Sequence, residues 1–456
     1  MTKCRSAFKA YDLRGKVPDE LNEEMAYRIG RVFAGLLTAK KVVLGRDARL
    51  SGESIQNALA EGLTDAGCSV LDIGLCGTEM VYFATTFLKA DGGVMVTASH
   101  NPKEYNGMKF VREGSRPISS DSGLMEIADR ALAGSFTRGA QDGPEKGLVT
   151  KVDVMGDYIG HLLSYVDSGA LKPLKIVANV GNGCAGAPLE QLERRLPFKF
   201  VKLYSQPDGN FPNGVPNPIL PRNRAETAAA VKREKADLGV AWDGDYDRCF
   251  LFDADGEFIE GYYIVGILAE AFLRKVPGAR IIHDPRLIWN TLETVKRLGG
   301  EAVECKSGHA FIKEKMRQVD AVYGGEMSAH HYFKDFTYCD SGMLPWLLIT
   351  ELMCVSGKPL SEMVGECIAK FPCSGEINRR VKDGPGVLAR IKEKYAGLGK
   401  AEEVDGISFE FSKWRFNVRI SNTEPVVRLN LETRADRALM EEKTAELLAV
   451  IGGEPD

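Results

Sequence analysis

The sequence has no long apolar run, no excess of one charge sign and no cysteine or histidine spacing typical of a metal site. No window approaches the roughly 20 apolar residues that a membrane-spanning helix needs, and the first residues lack the apolar stretch of a signal peptide. The formal net charge is −4, with basic and acidic residues interspersed. Such a surface does not favour nucleic acid or anionic membranes. We therefore expect a cytoplasmic protein that binds neither nucleic acid nor membranes.

Cysteine and histidine are sparse. The ten cysteines include no CxxC pair, so we expect reduced thiols packed in the core. Of only six histidines, three (His100, His309 and His330) fall in loops that follow predicted strands. This clustering favours one shared cleft.

The 456 residues are too many for one hydrophobic core. Short β-branched runs alternate with amphipathic stretches, a pattern typical of α/β domains with mainly parallel sheets. From about Phe371 the sequence becomes strand-rich, which predicts a separate small α+β domain. The segment Ser205–Arg222 holds five prolines and two glycines, so it is either an ordered excursion or a linker.

The most specific motif is Asp243-Gly-Asp-Tyr-Asp-Arg248, which lies between two apolar runs. Three carboxylates at alternate positions repel one another, and a divalent cation with oxygen ligands, such as Mg²⁺ completed by a phosphate oxygen, would relieve this repulsion. A calcium-binding EF-hand is excluded because Arg248 and Ala254 occupy its required glycine and glutamate positions. A solvated acidic hairpin turn remains the alternative.

A second motif, Thr97-Ala-Ser-His-Asn-Pro102, directly follows the apolar run Gly92–Val96. Serine at a strand-to-loop junction beside a histidine suits a nucleophile presented in a cleft. The alternative is a turn whose side chains bond their own backbone.

Three more polar loops follow predicted strands: Lys306–His309, Gly324–His330, and Arg419–Pro425 with Arg428 close behind. The loop Lys306–His309 suits a general base or a phosphate contact at a helix N-terminus. The loop Gly324–His330 could bind sugar hydroxyls, and the loop Arg419–Pro425 could bind a phosphate. A helix cap, a tight polar loop and a capped hairpin turn are the respective alternatives.

The pattern Gly181-Asn-Gly-Cys-Ala-Gly186 matches a dinucleotide-binding turn in its glycines. The acidic residue expected about 20 positions later is absent, because residue 206 is glutamine. We therefore expect these glycines only to permit a tight strand-to-helix turn.

Taken together, the motifs resemble those of the α-D-phosphohexomutase family, and within it the bacterial phosphomannomutase branch that serves GDP-mannose synthesis. The resemblance runs from Phe8 to nearly the C-terminus. It rests on Phe8–Gly15, the serine loop, Asn106–Lys109, Asp243–Arg248, Lys306–His309, Gly325–Phe333 and the Arg419 loop. One departure is Ala329, which stands where many relatives have glycine and leaves the choice between mannose and glucose open.

The resemblance implies three related α/β domains with mixed, mainly parallel sheets and a smaller C-terminal α+β domain, arranged around one central cleft. We expect these domains to span residues 1–148, 149–252, 253–368 and 369–456.

The resemblance also implies the role of each site residue. Ser99 carries the phosphoryl group and binds Mg²⁺ together with Asp243, Asp245 and Asp247. The other catalytic residues are Arg14, His100, Lys109, Arg248 and His309, with the general acid–base group among Lys109, His309 and His100. Substrate binding falls to Tyr11, Arg286, Glu326, Ser328, His330, Arg419, Ser421, Asn422, Thr423 and Arg428.

The implied reaction interconverts mannose 6-phosphate and mannose 1-phosphate through a phosphoserine and a hexose 1,6-bisphosphate, which also serves as activator. The expected partner is a small hexose phosphate, and the expected state a monomer or weak dimer. The alternatives are a glucose-specific or dual-specificity mutase, a sugar phosphatase and a non-catalytic sugar-phosphate sensor.

Overall fold

The structure is a computed structural model that describes residues 2–134, 145–421 and 426–455. The chain divides into two compact units. The first comprises Met1–Phe258 and Tyr332–Gly357, and the second Ile259–His331 and Lys358–Asp456.

The first domain is a seven-stranded mixed sheet flanked by helices. Its strands are β1 Leu13–Lys16, β2 Lys41–Arg46, β3 Ser69–Leu75, β4 Gly92–Val96, β5 Tyr105–Arg112, β6 Arg116–Pro117 and β7 Val149–Lys151. Its helices are α1 Thr2–Arg5, α2 Glu23–Leu37, α3 Gly52–Asp65, α4 Thr78–Phe87 and α5 Leu124–Ala133. The strand order is β1-β5-β4-β2-β3-β7, with β6 paired to β5. Because β2 pairs parallel with β3 and β4, the carboxyl ends of all three strands meet at one edge of the sheet, where ligands bind in such folds.

The second domain is a five-stranded mixed sheet of order β12-β11-β10-β8-β9. Its elements are α6 Met155–Leu163, β8 Lys175–Asn179, α7 Gly186–Glu193, β9 Lys199–Leu203, α8 Ala225–Glu234, β10 Leu238–Trp242, β11 Cys249–Phe252 and β12 Phe258–Ile259. Strands β10 and β11 form an antiparallel hairpin in which Trp242 lies opposite Cys249. The acidic motif is therefore the loop of a buried hairpin.

The third domain begins with parallel strands. Its elements are α9 Gly261–Lys275, β13 Arg280–His283, α10 Trp289–Arg297, β14 Glu301–Glu304, α11 His309–Val319, β15 Tyr323–Gly325, β16 His331–Phe333, β17 Cys339–Asp340, α12 Leu344–Ser356 and α13 Leu360–Lys370. Strand β13 pairs parallel with β14 and β15. In the antiparallel pair of β16 and β17, Tyr332 lies opposite Asp340.

The fourth domain is an antiparallel sheet of order β19-β20-β21-β22-β18-β23. Its elements are β18 Cys373–Arg380, α14 Gly384–Tyr395, β19 Lys400–Glu402, β20 Ile407–Glu410, β21 Trp414–Ile420, β22 Val426–Thr433, α15 Arg437–Ile451 and β23 Glu454–Pro455. Inward-facing Phe416, Val418, Leu429 and Leu431 pack with α14 and α15 in one core. The predicted fold class of three α/β domains and a small α+β domain is confirmed.

Three further features concern the cysteines, the length of the helices and the proline-rich segment. All ten cysteines are free. Seven of them are buried, as predicted for core thiols, whereas Cys4, Cys367 and Cys373 are only partly buried. Among the residues that the structure describes, no helix is long and apolar enough to cross a membrane. The segment Ser205–Arg222 is an ordered excursion rather than a linker, because it folds back and packs on neighbouring loops.

Candidate active site

The candidate nucleophile follows β4, whose five residues are all buried. The Ser99 main-chain N–H donates to Thr97 Oγ1 at 2.8 Å, and Thr97 Oγ1 donates to Asp47 Oδ2 at 2.6 Å. Ser99 has a left-handed backbone with φ 49°, a conformation that costs about 1 kcal/mol or more for a residue other than glycine. Its neighbours must therefore hold the serine in place.

The Ser99 hydroxyl lies against the acidic loop. It donates a hydrogen bond of 2.7 Å to Asp243 Oδ2, and both side chains are buried. Gly244 brings the two loops together, since a Cβ there would lie only 2.7 Å from the Ser99 carbonyl oxygen. The predicted proximity of the serine and the aspartates is confirmed.

The three aspartates of the loop form one buried oxygen cluster. One carboxylate oxygen of each of Asp243, Asp245 and Asp247 lies within 4.8 Å of the others. Burial raises the pKa of Asp243, although Arg248 acts in the opposite direction. Burial also acts to raise the pKa of Asp245, but Lys109 and Thr78 outweigh it and hold that pKa below its usual range. Two neighbouring carboxyls thus differ in proton affinity because different cations and donors face them.

Lys109 and Thr78 face the same carboxylates. Lys109 Nζ donates to Asp245 Oδ2 at 2.7 Å and also to Asp247. Thr78 Oγ1 donates to Asp245 Oδ2 at 2.5 Å. Burial acts to lower the pKa of Lys109, but the two carboxylates outweigh it and raise that pKa.

Arg248 connects the acidic loop to His100. Its Nε donates to Asp243 Oδ2 at 2.9 Å, and its Nη2 lies 2.6 Å from His100 Nδ1. Because a guanidinium only donates, His100 Nδ1 accepts that bond. Nδ1 also lies 3.0 Å from Ser99 Oγ, so this imidazole is placed directly beside the serine.

Arg14 approaches the serine loop from β1. Its Nε donates to Asp12 Oδ2 and its Nη1 to Asn101 Oδ1, both at 2.7 Å. Tyr11 lies half-buried in the turn before β1. The structure therefore brings Arg14, His100, Lys109 and Arg248 to the Ser99 loop.

The residues at this site fit a divalent cation. Three buried carboxylates in one cluster are the hard oxygen ligands that Mg²⁺ prefers. Asp245 Oδ1 is buried without a hydrogen-bond partner in the part of the chain that the structure describes. A buried carboxylate oxygen is costly unless something binds it, and a cation would.

In the second compact unit, Arg286 organises the residues that follow β13. Its Nε and Nη2 bond both oxygens of Asp284 at 3.0 and 2.9 Å, and its Nη2 also donates to Ser328 at 3.2 Å. Its Nη1 donates to Glu376 Oε2 at 3.2 Å. Arg286 is almost fully buried, and its direct contact with phosphate stays a prediction.

The loop after β15 presents the predicted sugar-binding residues. Glu326 Oε1 accepts from the Gly308 main-chain N–H at 3.0 Å, and Glu326 Oε2 lies 3.4 Å from His330 Nδ1. Ser328 and His330 are partly exposed. Ala329 has φ 70°, a left-handed conformation that favours glycine, which gives a physical reason for the glycine of many relatives.

His309 begins α11, the helix after the predicted Lys306–His309 loop. Its ring centroid lies 6.5 Å from that of His330, and its Nδ1 lies 3.4 Å from Lys313 Nζ. The two histidines predicted in these loops are therefore neighbours.

A cluster of arginines surrounds Glu376 on β18. Arg428 Nη1 donates to Glu376 Oε1 at 3.0 Å, Arg419 Nη2 lies 3.6 Å from Oε2, and Arg286 completes the set. Burial acts to raise the pKa of Glu376, but the three guanidiniums outweigh it and lower that pKa to about 2. The three guanidiniums supply the forked donors that an anion site requires. Arg286 is also bonded to Asp284, and Arg419 Nη1 lies 3.8 Å from Asp405.

Arg419 and Arg428 lie directly opposite each other on β21 and β22. The Ser421 main-chain N–H donates to the Val426 oxygen at 2.9 Å, close to the tip of this hairpin. Asn422 and Thr423 lie outside the described residues. Their assignment to phosphate binding stays a prediction.

Sequence reasoning missed several functional candidates, namely Asp47, Thr78, Glu376 and Arg49, which donates to the Ser99 carbonyl oxygen. Asp47 and Arg49 directly follow β2, and Thr78 follows β3, so all three obey the strand-end rule that identified the other loops. Glu376 lies inside β18, and no local signal marks it.

The comparisons with known proteins agree with this architecture. Four successive segments match phosphoglucomutase/phosphomannomutase alpha/beta/alpha domains I, II and III and its C-terminal domain, at residues 5–138, 156–256, 260–371 and 376–449. The chain belongs to the phosphoglucomutase/phosphomannomutase family and is an enzyme of the α-D-phosphohexomutase type.

Similarity to bacterial relatives covers nearly the whole chain. The chain is 55% identical to a phosphomannomutase of Escherichia coli over 453 residues, which cover 98% of this chain and 99% of the relative. It is 57% identical over 448 residues, with the same coverage, to a Xanthomonas campestris protein described as phosphohexose mutases. A crystal structure of a phosphoglucomutase/phosphomannomutase family protein from Burkholderia thailandensis aligns with a TM-score of 0.86 and 32% identity, covering 99% of each chain. The predicted family and its phosphomannomutase branch are confirmed.

Proposed function

We propose that this protein interconverts mannose 6-phosphate and mannose 1-phosphate through a phosphoserine at Ser99, and so supplies mannose 1-phosphate for GDP-mannose synthesis. The observation that carries the proposal is the 2.7 Å hydrogen bond from the Ser99 hydroxyl to Asp243 within a buried carboxylate cluster. The names of the relatives support mannose as the sugar.

In the first step, the phosphoryl group leaves Ser99 for the free hydroxyl of the sugar phosphate. The bond between phosphorus and Ser99 Oγ breaks, a bond to the sugar oxygen forms, the sugar hydroxyl loses its proton to a base, and Ser99 Oγ gains a proton. Lys109 and Arg248 supply the positive charge that stabilises the transferring group. Lys109, His100 and His309 are the candidates for proton transfer.

In the second step, the other phosphate of the 1,6-bisphosphate returns to Ser99. Each phosphate must therefore fit both the reacting position and an anchoring position. We assign the anchoring position to Arg419, Ser421 and Arg428 with Asn422 and Thr423, and the ring hydroxyls to Glu326, Ser328 and His330. That all these groups act on one substrate in one cleft stays a prediction.

Mg²⁺ held by Asp243, Asp245, Asp247 and the seryl phosphate would neutralise charge on the group being transferred. Free hexose 1,6-bisphosphate would act as activator by rephosphorylating Ser99. We expect the enzyme to work in the cytoplasm as a monomer or weak dimer.

A dual-specificity enzyme is the second candidate, because one relative is described as phosphohexose mutases without a single sugar. Mannose and glucose differ only in the orientation of one hydroxyl, so discrimination depends on hydrogen bonds from the loop at Glu326. Comparison of kcat/KM for mannose 1-phosphate and glucose 1-phosphate, with bisphosphate activator present, separates the two candidates.

The direct test of the mechanism is Ser99→Ala. Turnover is expected to disappear while the variant still binds sugar phosphate in calorimetry, because the predicted substrate contacts remain. Ser54→Ala, on the exposed side of α3, is the matched control and should keep full activity. Near-normal mutase activity in Ser99→Ala would refute the assignment, and release of inorganic phosphate by the wild type in place of isomerisation would indicate a phosphatase.

A further inference from the structure

Arg49 is bonded to the main chain of the serine loop by four hydrogen bonds. Its Nη1 donates to the carbonyl oxygens of Pro102 and Tyr105, both at 2.8 Å. Its Nη2 donates to the carbonyl oxygens of Ser99 at 2.9 Å and Asn101 at 2.6 Å. The Arg49 side chain is fully buried. One guanidinium therefore fixes the path of the chain from the nucleophile to Tyr105.

Asp47 orients this guanidinium. Its Oδ1 accepts from the Arg49 main-chain N–H at 3.0 Å, and its Oδ2 lies 3.3 Å from Arg49 Nε. The same Oδ2 accepts from the Thr97 hydroxyl at 2.6 Å. The Asp47 carboxylate thus connects the end of β2, the Arg49 guanidinium and the start of the serine loop.

The proline-rich segment Ser205–Arg222 covers Arg49 from the other side. The guanidinium carbon of Arg49 lies 5.5 Å from the ring centroid of buried Phe211. A Cβ on Gly209 would lie 2.3 Å from the Ala48 carbonyl oxygen, so the two backbones touch at this point. An aromatic face excludes water from the guanidinium and attracts its charge.

The glycine pattern of the second domain holds that segment in place. The Asp208 main-chain N–H donates to Asn182 O at 3.0 Å, and Asn182 Oδ1 accepts from Asn213 Nδ2 at 2.9 Å. A Cβ on Gly181 would lie 2.4 Å from Pro216. The glycine pattern Gly181–Gly186 thus packs against the proline-rich segment that contains Phe211.

We propose that Arg49 is a positioning residue for phosphoryl transfer, and that Phe211 holds its guanidinium in place. The inference rests on the proposed role of Ser99 as nucleophile. Ser99 occupies a left-handed conformation that the loop does not favour by itself, and the four bonds from Arg49 keep its Oγ aligned on Asp243. Lysine cannot replace this function, because an ammonium lacks the planar fork that reaches several acceptors at once.

The test is Arg49→Lys, which keeps the charge and removes the fork. We expect kcat to fall about 100-fold, the loss typical of a nucleophile displaced by about 1 Å, while KM for mannose 1-phosphate changes little. The rate of Ser99 phosphorylation by hexose 1,6-bisphosphate, followed by intact-mass spectrometry in a single turnover, should fall in parallel. Arg46→Lys on β2 is the matched control and should behave as wild type. Arg46 Nη2 lies 3.7 Å from Oε2 of Glu53, whose side chain is exposed.

A merely structural role predicts a different result. Arg49→Lys would then lower Tm and the folded fraction but leave kcat per folded molecule at the wild-type value, which would overturn the proposal. If Arg49→Lys does not fold, Phe211→Leu decides. A loss of kcat of about tenfold at unchanged KM supports the proposal, and wild-type kcat rejects it. Mutase activity in Ser99→Ala would instead count against the proposed function.

Discussion

The Ser99 hydroxyl and Asp243 Oδ2 lie 2.7 Å apart although 144 positions separate the two residues in the sequence. The first follows β4 of the first domain, and the second follows β10 of the second domain. Two separate sheets therefore end at one point, and neither domain alone contains the proposed reacting site. The proposed chemistry depends on the packing of these two domains as much as on the residues themselves.

Loss of one proposed metal ligand should weaken Mg²⁺ binding in a measurable way. In Asp245→Asn, an amide replaces a carboxylate whose Oδ1 has no hydrogen-bond partner among the described residues. We expect the Mg²⁺ concentration for half-maximal activity to rise at least about tenfold, with activity partly recovered at high Mg²⁺. Magnesium titration of the initial rate measures this, and Asp255→Asn in the exposed turn after β11 is the control. An unchanged titration would remove Asp245 from the metal site.

The close approach of the two loops at Gly244 predicts a strong effect from one methyl group. In Gly244→Ala, the new Cβ would lie 2.7 Å from the Ser99 carbonyl oxygen, so the serine loop must shift. We expect kcat to fall about 100-fold with a small change in Tm. Gly156→Ala on α6, where a Cβ meets no atom within 4 Å, is the control. Wild-type kcat in Gly244→Ala would show that the loops tolerate displacement.

Much of this site could be predicted because its loops are dense in polar residues and directly follow apolar strands. Thr97–Pro102 and Asp243–Arg248 both show this local contrast. Arg49 could not be assigned a role, since its function lies in bonds to main-chain oxygens about 50 residues away. Glu376 could not be predicted either, because a single glutamate within a strand gives no sign that three arginines will surround it.

The strand before the serine motif was predicted well because its apolar run is continuous. β4, Gly92–Val96, has the bounds of that run, and its five residues are all buried. For Ser205–Arg222, the sequence did not decide between an ordered excursion and a linker. Its order comes from tertiary contacts of Asn182 and Gly181, which local composition does not encode.

Glu376 should stabilise the arginine cluster in a way that an added anion can replace. Its pKa is lowered to about 2 from 4.5, so its contribution is complete above about pH 4.5 and is lost as the pH falls through about 2. At neutral pH, Glu376→Gln removes the buried carboxylate that Arg286, Arg419 and Arg428 share and should cost about 3 kcal/mol.

Thermal unfolding at low ionic strength measures this effect. Inorganic phosphate should raise Tm more for Glu376→Gln than for wild type, because phosphate can occupy the site of the lost charge. Glu366→Gln, an exposed residue paired with Lys358, is the control. Equal phosphate effects in all three proteins would show that these arginines are not an anion site.

Glu79 predicts a pH dependence of stability with a defined sign. Burial raises the pKa of its carboxyl to about 8 from 4.5, against the opposing effect of donors such as the Tyr158 hydroxyl and the Gly342 main-chain N–H. Between these two values the unfolded chain releases the proton while the folded protein keeps it. Stability should therefore fall as the pH rises from about 5 to about 8.

Glu79→Gln removes that titration and should flatten this part of the profile. The Tm of the variant relative to wild type should rise between about pH 5 and about pH 8. Glu126→Gln, exposed on α5, should follow wild type at both pH values. A difference between Glu79→Gln and wild type that does not change with pH would show that the Glu79 carboxyl is ionised in the folded state throughout this range.

Transfer of the phosphoryl group between Ser99 and the sugar can be followed in a single turnover. The most direct measurement mixes enzyme phosphorylated at Ser99 with one equivalent of mannose 6-phosphate and follows the protein by intact-mass spectrometry and the sugar by ³¹P NMR. Phosphoserine should be lost as hexose 1,6-bisphosphate forms, and mannose 1-phosphate should then appear. Mannose 1-phosphate formed while Ser99 keeps its original phosphoryl group would exclude Ser99 as the phosphoryl donor.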